Sequence, residues 1–340
     1  MNNYARWAAC LNTETPYNRI ILLAIASVLI GGAVIRAQSV SWVQAPVKTS
    51  PSERFSAGMA FDWKTRTTLL FGGAINNRQK FDDTWIWHNG WFQLSPATSP
   101  PARQGPGMVW DAASGNIVLF GGLDTNGIFL NDTWLWNGTN WIEQYPPISP
   151  PGRLFDGEGM TYDAATHRVL LFGGTNGVNI VLGDTWTWDG ITKTWTQHFP
   201  STSPSPRRTV LAYDYASKNV VLFGGDNGVV HYGDTWTWDG VNWTQKFHLT
   251  SPSPRTMGSF AWDDRLGLLV LFGGSGAGAA ELNDTWIWKD STWTQVFPTG
   301  STPPGRWAAP IDYDPVSRGL LLFGGCCSYL DDTWLFFYIP

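Results

Sequence analysis

The sequence predicts an all-β protein, a six-bladed β-propeller of four-stranded blades whose ring is closed by the N-terminal strand. Three observations carry that prediction. First, a run of apolar residues ending in Phe-Gly-Gly occurs six times, with its aromatic at Phe71, Phe120, Phe172, Phe223, Phe272 and Phe323. Second, an Asp-Thr-Trp step follows each, starting at Asp83, Asp132, Asp184, Asp234, Asp284 and Asp332. A period near fifty residues holding several short apolar runs marks a radial array of small sheets, in which no unit buries both faces alone. Third, the two ends of the array complete one another. Ser41-Trp42-Val43-Gln44 reads like the fourth strand of later units (Trp141, Trp195, Trp243, Trp293) with no third strand before it, and the third strand at Asp332 has no fourth after it. Joining them leaves no open edge between the first and last blades.

Within a unit, each strand has its own signature. The inner strand is small and mixed, as in Ala57 to Phe61, which suits the crowded axis of a ring. It ends in an aromatic-Asp pair, with Asp62, Asp111, Asp163, Asp214, Asp263 and Asp314 each nine residues before the Phe of Phe-Gly-Gly. An Asp opening a fixed interval fits a tight turn in which the carboxylate accepts from backbone amides ahead. The second strand is apolar without alternation, as expected when both faces are covered, and its paired glycines permit positive φ where the strand ends. The third alternates, as in Trp85-Ile86-Trp87, and Asn89, Asn137, Asp189 and Asp239 precede glycine in hairpin-type turns. Of 22 Trp, 17 fall at repeated positions of the third and fourth strands, so they read mainly as blade packing, with an aromatic sugar-binding face as the alternative. The Asp of Asp-Thr-Trp recurs in all six units and reads as a structural hydrogen-bonding group.

The apolar run, the double glycine and the spaced aromatics (Trp85 and Trp91 in the first unit) resemble kelch repeats, over about residues 41–340. That family tends to carry Tyr at the first aromatic, where this chain has Trp. The resemblance implies a propeller and leaves function open, because such propellers serve as binding modules, scaffolds and a few enzymes. The copper site of galactose oxidase, which is similar in its repeats, does not carry over. It needs Tyr and His ligands with a Cys crosslinked to Tyr, and His88, His167, His198, His231 and His248 are scattered. Sialic-acid mutarotases are exported six-bladed kelch proteins, but no motif here is specific enough to transfer residues from them.

Residues 1–37 form a separate segment. Ile20 to Ile35 is an apolar run of 16 residues followed by Arg36-Ala37-Gln38. It is expected to act as a signal peptide cleaved after Ala37 or, uncleaved, as an N-terminal membrane anchor. Both readings place the propeller, residues 38–340, in a secreted, periplasmic or extracellular setting. Cys10 precedes the apolar run and is not placed like a lipoprotein acceptor. That leaves Cys326-Cys327, either a vicinal disulfide or two quiet thiols. The chain carries a net charge of −5, and −7 once residues 1–37 are removed, with no Lys/Arg run. Nucleic acid is therefore not an expected partner, and a membrane is one only through the anchor.

Antiparallel order sends the second-to-third and fourth-to-first connections, the long ones, to one face of the ring, and loops on a rigid scaffold carry function. Those loops hold Arg54, Arg103, Arg153, Arg207, Arg255 and Arg306. Such a ring could bind a carboxylate or phosphate, or fasten blades by pairing with Asp or stacking on Trp; the second reading is preferred because a small ligand rarely needs six equivalent contacts. Specific recognition should sit where the repeat breaks. The third unit gains two residues around Leu154-Phe155-Asp156-Gly157-Glu158, the fourth adds Arg208 beside Arg207 and carries His231-Tyr232 in its long loop, the first has Asn76 to Lys80, and the sixth shortens its loop around the two cysteines. The candidate ligand-binding set is Arg153, Glu158, Arg207, Arg208, His231 and Tyr232. No metal-ligand cluster, phosphate cradle or catalytic triad is visible, so no metal or cofactor is expected. The expected function is an exported binding module for a protein or a small anionic or carbohydrate ligand. The alternative is a carbohydrate-active enzyme of the sialic-acid mutarotase kind.

Overall fold

The computed structural model describes residues 28–30, 33–35, 39–75, 79–177, 180–326 and 330–339. Most of residues 1–37, Cys10 among them, Asn76 to Arg78 and Cys327 therefore lie outside the described residues. Within the segment, Val28–Ile30 and Ala33–Ile35 pair as an antiparallel hairpin. No helix among the described residues is long and apolar enough to cross a membrane.

From Ser39 onward the chain makes six antiparallel blades of four strands, to which blade 2 adds the short strand Arg103–Gln104, with one 3-10 turn among the described residues at Ala277–Ala279. Blade 1 (Gly58–Asp62, Thr67–Phe71, Thr84–Trp87, Trp91–Leu94) gives the pattern. Blade 6 runs Ile311–Asp314, Gly319–Phe323, Thr333–Ile339, and its fourth strand is Ser39–Gln44. Ring closure by the N-terminal strand is thus part of the fold. Trp42 is buried, with its ring 5.0 Å from Phe336 in its own blade and 4.8 Å from Phe272 in blade 5.

The repeated residues turn out to be joints between blades. Each loop arginine is buried, and its guanidinium reaches forward into its own blade. There Nη1 donates to the carbonyl of the first glycine of Phe-Gly-Gly at 2.8–3.2 Å and to the Asp of Asp-Thr-Trp at 2.5–2.7 Å. Its backbone reaches backward. The arginine carbonyl accepts from the second glycine of the preceding blade, for example Gly73 to Arg103 at 2.9 Å and Gly325 to Arg54 at 2.8 Å. Each arginine is therefore a clamp across one boundary, and the six clamps run all the way round. The blade-fastening reading of these arginines is what the structure shows.

The composition of Asp-Thr-Trp follows from the same joints. The Asp accepts from the clamp arginine and from the indole of its own Trp at 2.6–2.7 Å. The Thr hydroxyl accepts from the outer-strand Trp of the next blade, in the series Trp42–Thr285, Trp91–Thr333, Trp141–Thr84, Trp195–Thr133, Trp243–Thr185 and Trp293–Thr235, at 2.8–3.2 Å. A buried indole N–H needs an acceptor, which is why Trp and not Phe recurs there. The same Trp packs on the Phe of the preceding blade's Phe-Gly-Gly at 4.8–5.1 Å between centroids.

The turn after each inner strand is the expected one: Asp163 Oδ1, for example, accepts from Ala165 N at 2.9 Å and Thr166 N at 3.3 Å. The glycines differ from expectation. In blades 2, 4 and 5 the second strand continues past them (Asn116–Asp124, Asn219–Asp226, Leu268–Ser275) with a register shift at the pair. The pair is there a bulge and not a strand end. Glycine is needed in either case: Gly173 has φ +68, and a Cβ on it would lie 2.3 Å from the Arg207 carbonyl that clamps this boundary.

Because Trp42 fills the same joint as Trp243, Trp42→Ala should cost about 3–5 kcal/mol, the range for an emptied aromatic core site, and about as much as Trp243→Ala. Denaturant unfolding of the two variants checks this. A silent Trp42→Ala beside a damaging Trp243→Ala would show that the N-terminal strand does not close the ring.

Candidate functional site

The break in the third unit builds the centre of the molecule. Its two extra residues loop inward ahead of the blade 3 inner strand (Met160–Asp163) and place two acidic side chains at the ring axis. Asp156 is buried. Its Oδ1 accepts from Ser56 Oγ of blade 1 at 3.2 Å and from Gln104 Nε2 of blade 2 at 3.4 Å, and its Oδ2 pairs with Arg208 of blade 4 at 3.3 Å. Burial pushes the Asp156 carboxyl up, against the Arg208 charge and these hydrogen bonds.

Glu158 continues the bridge. Its carbonyl accepts from Leu211 N of blade 4 at 2.7 Å, and its carboxyl faces the backbone amides of Phe260 in blade 5 and Ile311 in blade 6. Part of the residue fronts the lumen, so it is half-buried as a whole, but Oε2 is shielded and makes no hydrogen bond. Burial pushes this carboxyl up to about 8, because the facing amides do not offset the loss of water. One segment, lengthened by two residues, thus touches every other blade.

Arg208 opens the blade 4 inner strand (Arg208–Asp214). Its Nη2 meets Asp226 Oδ1 at 2.6 Å while its Nη1 holds Asp156, so two carboxylates already match its charge. Burial pushes Asp226 up, but the Arg208 hydrogen bond and charge outweigh it and hold the carboxyl below its usual value. His231 is the register partner of Asp226, and both it and Tyr232 belong to the third strand (His231–Trp238), not to a loop, because that strand extends past the glycine bulge. The Arg207 guanidinium lies 3.9 Å from the Tyr232 ring centroid and is held by Asp234 and Ser205. Arg153 is committed to Asp184, Gly173 and Pro151 in the blade 3 clamp.

The sequence-derived candidates therefore divide. Arg153 and Arg207 are clamp residues, with Tyr232 as a platform for the second. Arg208 and His231 flank Asp226, and Glu158 stands in the axis. No hydrogen bond or ion pair joins Glu158 to Arg153, Arg207 or His231 among the described residues. Two groups went unassigned in the sequence. Asp226 carried no signal beyond its position after Gly-Gly. Asp312 did carry one: it stands where the other inner strands have Ala60, Val109, Thr161, Ala212 and Ala261. Its carboxyl accepts from Phe61 N at 2.7 Å and Tyr313 N at 2.8 Å, sealing the boundary of blades 6 and 1, and burial pushes it up to about 6. Among the described residues no group of three or more His, Cys, Asp and Glu side chains is arranged to hold a metal ion. Cys326 is buried, and the state of its neighbour lies outside the described residues.

Each face carries a cavity. On the long-loop face, Phe129, Leu154, Val181, Arg208, Asn227 and their neighbours from blades 2, 3 and 4 border a cavity of about 340 Å³. Around it the loop tips expose Ile128, Ile180, Val229 and Val230. On the short-loop face, the lower halves of all six inner strands border a cavity of about 150 Å³ with Glu158 at its inner end.

Residues 86–247, from the third strand of blade 1 to the end of blade 4, match the model of the KLHDC2/KLHL20/DRC7 kelch-repeats domain. Over that span the repeats match kelch repeats. No curated protein matches the chain. A kelch propeller is typically a protein-interaction module, and kelch propellers commonly bind proteins. Here the repeated kelch positions are spent on joints between blades, so recognition falls to the residues that depart from the repeat.

The folded-state value of about 8 for Glu158 lies above its ordinary 4.5, so the folded protein keeps a proton that the unfolded chain has released. The resulting stability is whole below about pH 4.5 and is lost as pH rises to about 8. Glu158→Gln cannot ionise. Wild type should therefore lose melting temperature relative to Glu158→Gln across that window, as read by calorimetry at several pH values. A difference that stays constant with pH would mean Glu158 titrates like an exposed carboxylate.

Proposed function

We propose that this protein is an exported kelch-repeat interaction module that docks a protein at the long-loop mouth of blades 2 to 4. The observation that carries the reading is the convergence of loops from three consecutive blades on one cavity, with Ile128, Ile180, Val229 and Val230 exposed around it. Apolar tips around a recess are what a partner's side chain can bury, while a rigid ring beneath them keeps the ordering cost low. Arg208 supplies a polar anchor in the wall. Because Asp156 and Asp226 already match its charge, a neutral or mixed partner surface fits better than a free carboxylate or phosphate. Support for export is the apolar run Ile20 to Ile35 ahead of Ala37. The enzyme reading gains nothing from the geometry, since among the described residues no acid and base converge on a shared reacting position.

The two faces can be set against each other. Ile128→Asp with Val229→Asp should reduce capture of a crosslinked or co-purified partner at least tenfold by placing charge in the contact. Lys218→Glu, in a short turn of the other face, should leave capture unchanged, and all variants should keep the wild-type melting temperature. Loss with Lys218→Glu and retention with the loop-tip pair would put docking on the other face. A product that fractionates with the cytoplasm and begins at Met1 would rule out export.

A further inference from the structure

The inner strands carry one more repeated feature, which packs between blades with part of its rings and lines the channel with the rest. The residue before each turn Asp is aromatic in all six blades: Phe61, Trp110, Tyr162, Tyr213, Trp262 and Tyr313. Phe61, Tyr162 and Tyr213 are buried, while Trp110, Trp262 and Tyr313 are half-buried. All six border the cavity of about 150 Å³ at the short-loop mouth. Two more aromatics, Trp63 and Tyr215, stand at its rim and are about half exposed. Tyr215 makes a corner with its neighbours, 4.7 Å and edge-on to Tyr213, and 5.4 Å and tilted against Trp262. Across the mouth, Phe61 and Trp63 meet edge-on at 5.1 Å.

The charged groups of this cavity all have one sign. Glu158 lies at the inner end, Asp312 in the wall and Asp264 at the rim, and no Lys, Arg, His, Asn or Gln is among the lining residues. A sugar is recognised by paired donors and acceptors, and the amide and basic donors that such recognition draws on are missing from this wall. An anion would meet three carboxyl groups. A cation meets aromatic faces and carboxylates together, the combination that holds quaternary and methylated ammonium groups. Glu158 Oε2, shielded and without a hydrogen bond, supplies a counter-charge to such a cation once its proton leaves.

From this geometry we infer that the short-loop mouth binds a methylated ammonium group. A plain ammonium would have to give up its hydration for rings that accept few hydrogen bonds, whereas methyl groups pack on those rings and leave the charge to the field of the carboxylates. The sign of that field shows at Tyr215, which burial and then the charges of Asp312 and Asp264 push up to about 12. A bound cation would also draw the proton from Glu158. The groups that share this space with it are Asp312, Asp264 and the four tyrosines of the lining. Beyond the rim, Arg265 acts on Tyr313, Arg168 with Asp111 and Asp163 acts on Tyr162, and Asp163 and Asp214 act on Tyr213. His167 Nδ1 lies 3.3 Å from the Tyr162 hydroxyl. Asp312, at about 6, ionises before Glu158, at about 8, so affinity should climb as pH rises to about 8 and then level off.

The ligand could be a free quaternary amine or a methylated lysine on another protein, and one set of titrations separates them. The full chain is titrated, by tryptophan fluorescence and calorimetry, with choline, with a trimethyl-lysine peptide and with its unmodified lysine counterpart. Saturable binding of choline alone points to a small-molecule source, and tighter binding of the trimethyl-lysine peptide points to a protein source. Tyr215→Ala and Trp262→Ala should each weaken binding about threefold to thirtyfold, and Glu158→Gln should abolish its rise toward pH 8. The Ile128→Asp with Val229→Asp variant should bind as wild type, which keeps this site distinct from the docking face. No binding of either methylated probe, equal binding of the unmodified peptide, or binding that survives both aromatic variants in folded protein would overturn the inference.

Discussion

The ring depends on one interaction repeated six times: a buried arginine whose backbone belongs to one blade boundary and whose guanidinium belongs to the next blade. Taking a guanidinium and a carboxylate out of water is costly, and removing one partner of such a pair typically costs about 3–5 kcal/mol. The geometry meets that cost. Five of the six pairs are two-pronged, with Nη2 on the second carboxylate oxygen at 2.7–2.9 Å. In the sixth, Arg207 turns Nη2 to Ser205 and stacks on Tyr232 instead. Each Asp is also fixed by an indole N–H, and each Thr beside it by the next blade's Trp. Asp-Thr-Trp is thus a three-way junction written in consecutive residues.

Such a junction explains what could be seen in the sequence. Every repeated residue has a repeated partner, so periodicity alone exposed blade number, strand roles, the Asp turns and the closing strand around Trp42. The preferred reading of the arginines rested on counting, since a small ligand rarely needs six equivalent contacts. That their partners are the six Asp-Thr-Trp carboxylates is what the structure added. The glycine pairs were less legible. Phe-Gly-Gly reads the same in all six blades, yet Gly122, Gly225 and Gly274 carry their strands onward through a bulge. In blade 3, by contrast, the strand stops at Phe172 and the loop beyond pairs as a separate hairpin, Thr175–Gly177 with Ile180–Val181.

The channel was legible as a location and not as a path. Two extra residues before Met160 announced a departure from the repeat. Nothing local says that Asp156 turns toward Ser56, Gln104 and Arg208 while Glu158 crosses to Phe260 and Ile311. That direction is set by the other five blades, which leave unsatisfied amides and a gap of the right size at the axis. His231 and Tyr232 show the same limit: their chemistry was visible, but their place in a strand depended on the bulge. Asp312 was readable in principle, as a charge at a position where the other inner strands carry Ala, Val or Thr.

Closure within blade 6 has a topological consequence. At all six blade boundaries the chain itself runs across the joint, so a breach there is tethered and its loop-closure entropy is small; the gap in the covalent circle falls inside blade 6. In blade 6, Ser39–Gln44 and Thr333–Ile339 are neighbours in space but lie almost the whole chain apart in sequence. If that pairing parts, the ring becomes an open arc whose two ends must find each other through the entropy of a very long loop. The weakest place in the circle is therefore set by where the covalent chain is cut, and not by the side chains, which make the same joint there as elsewhere. Moving the chain ends to another tight hairpin, such as the one after Asp239, would move the weak place with them.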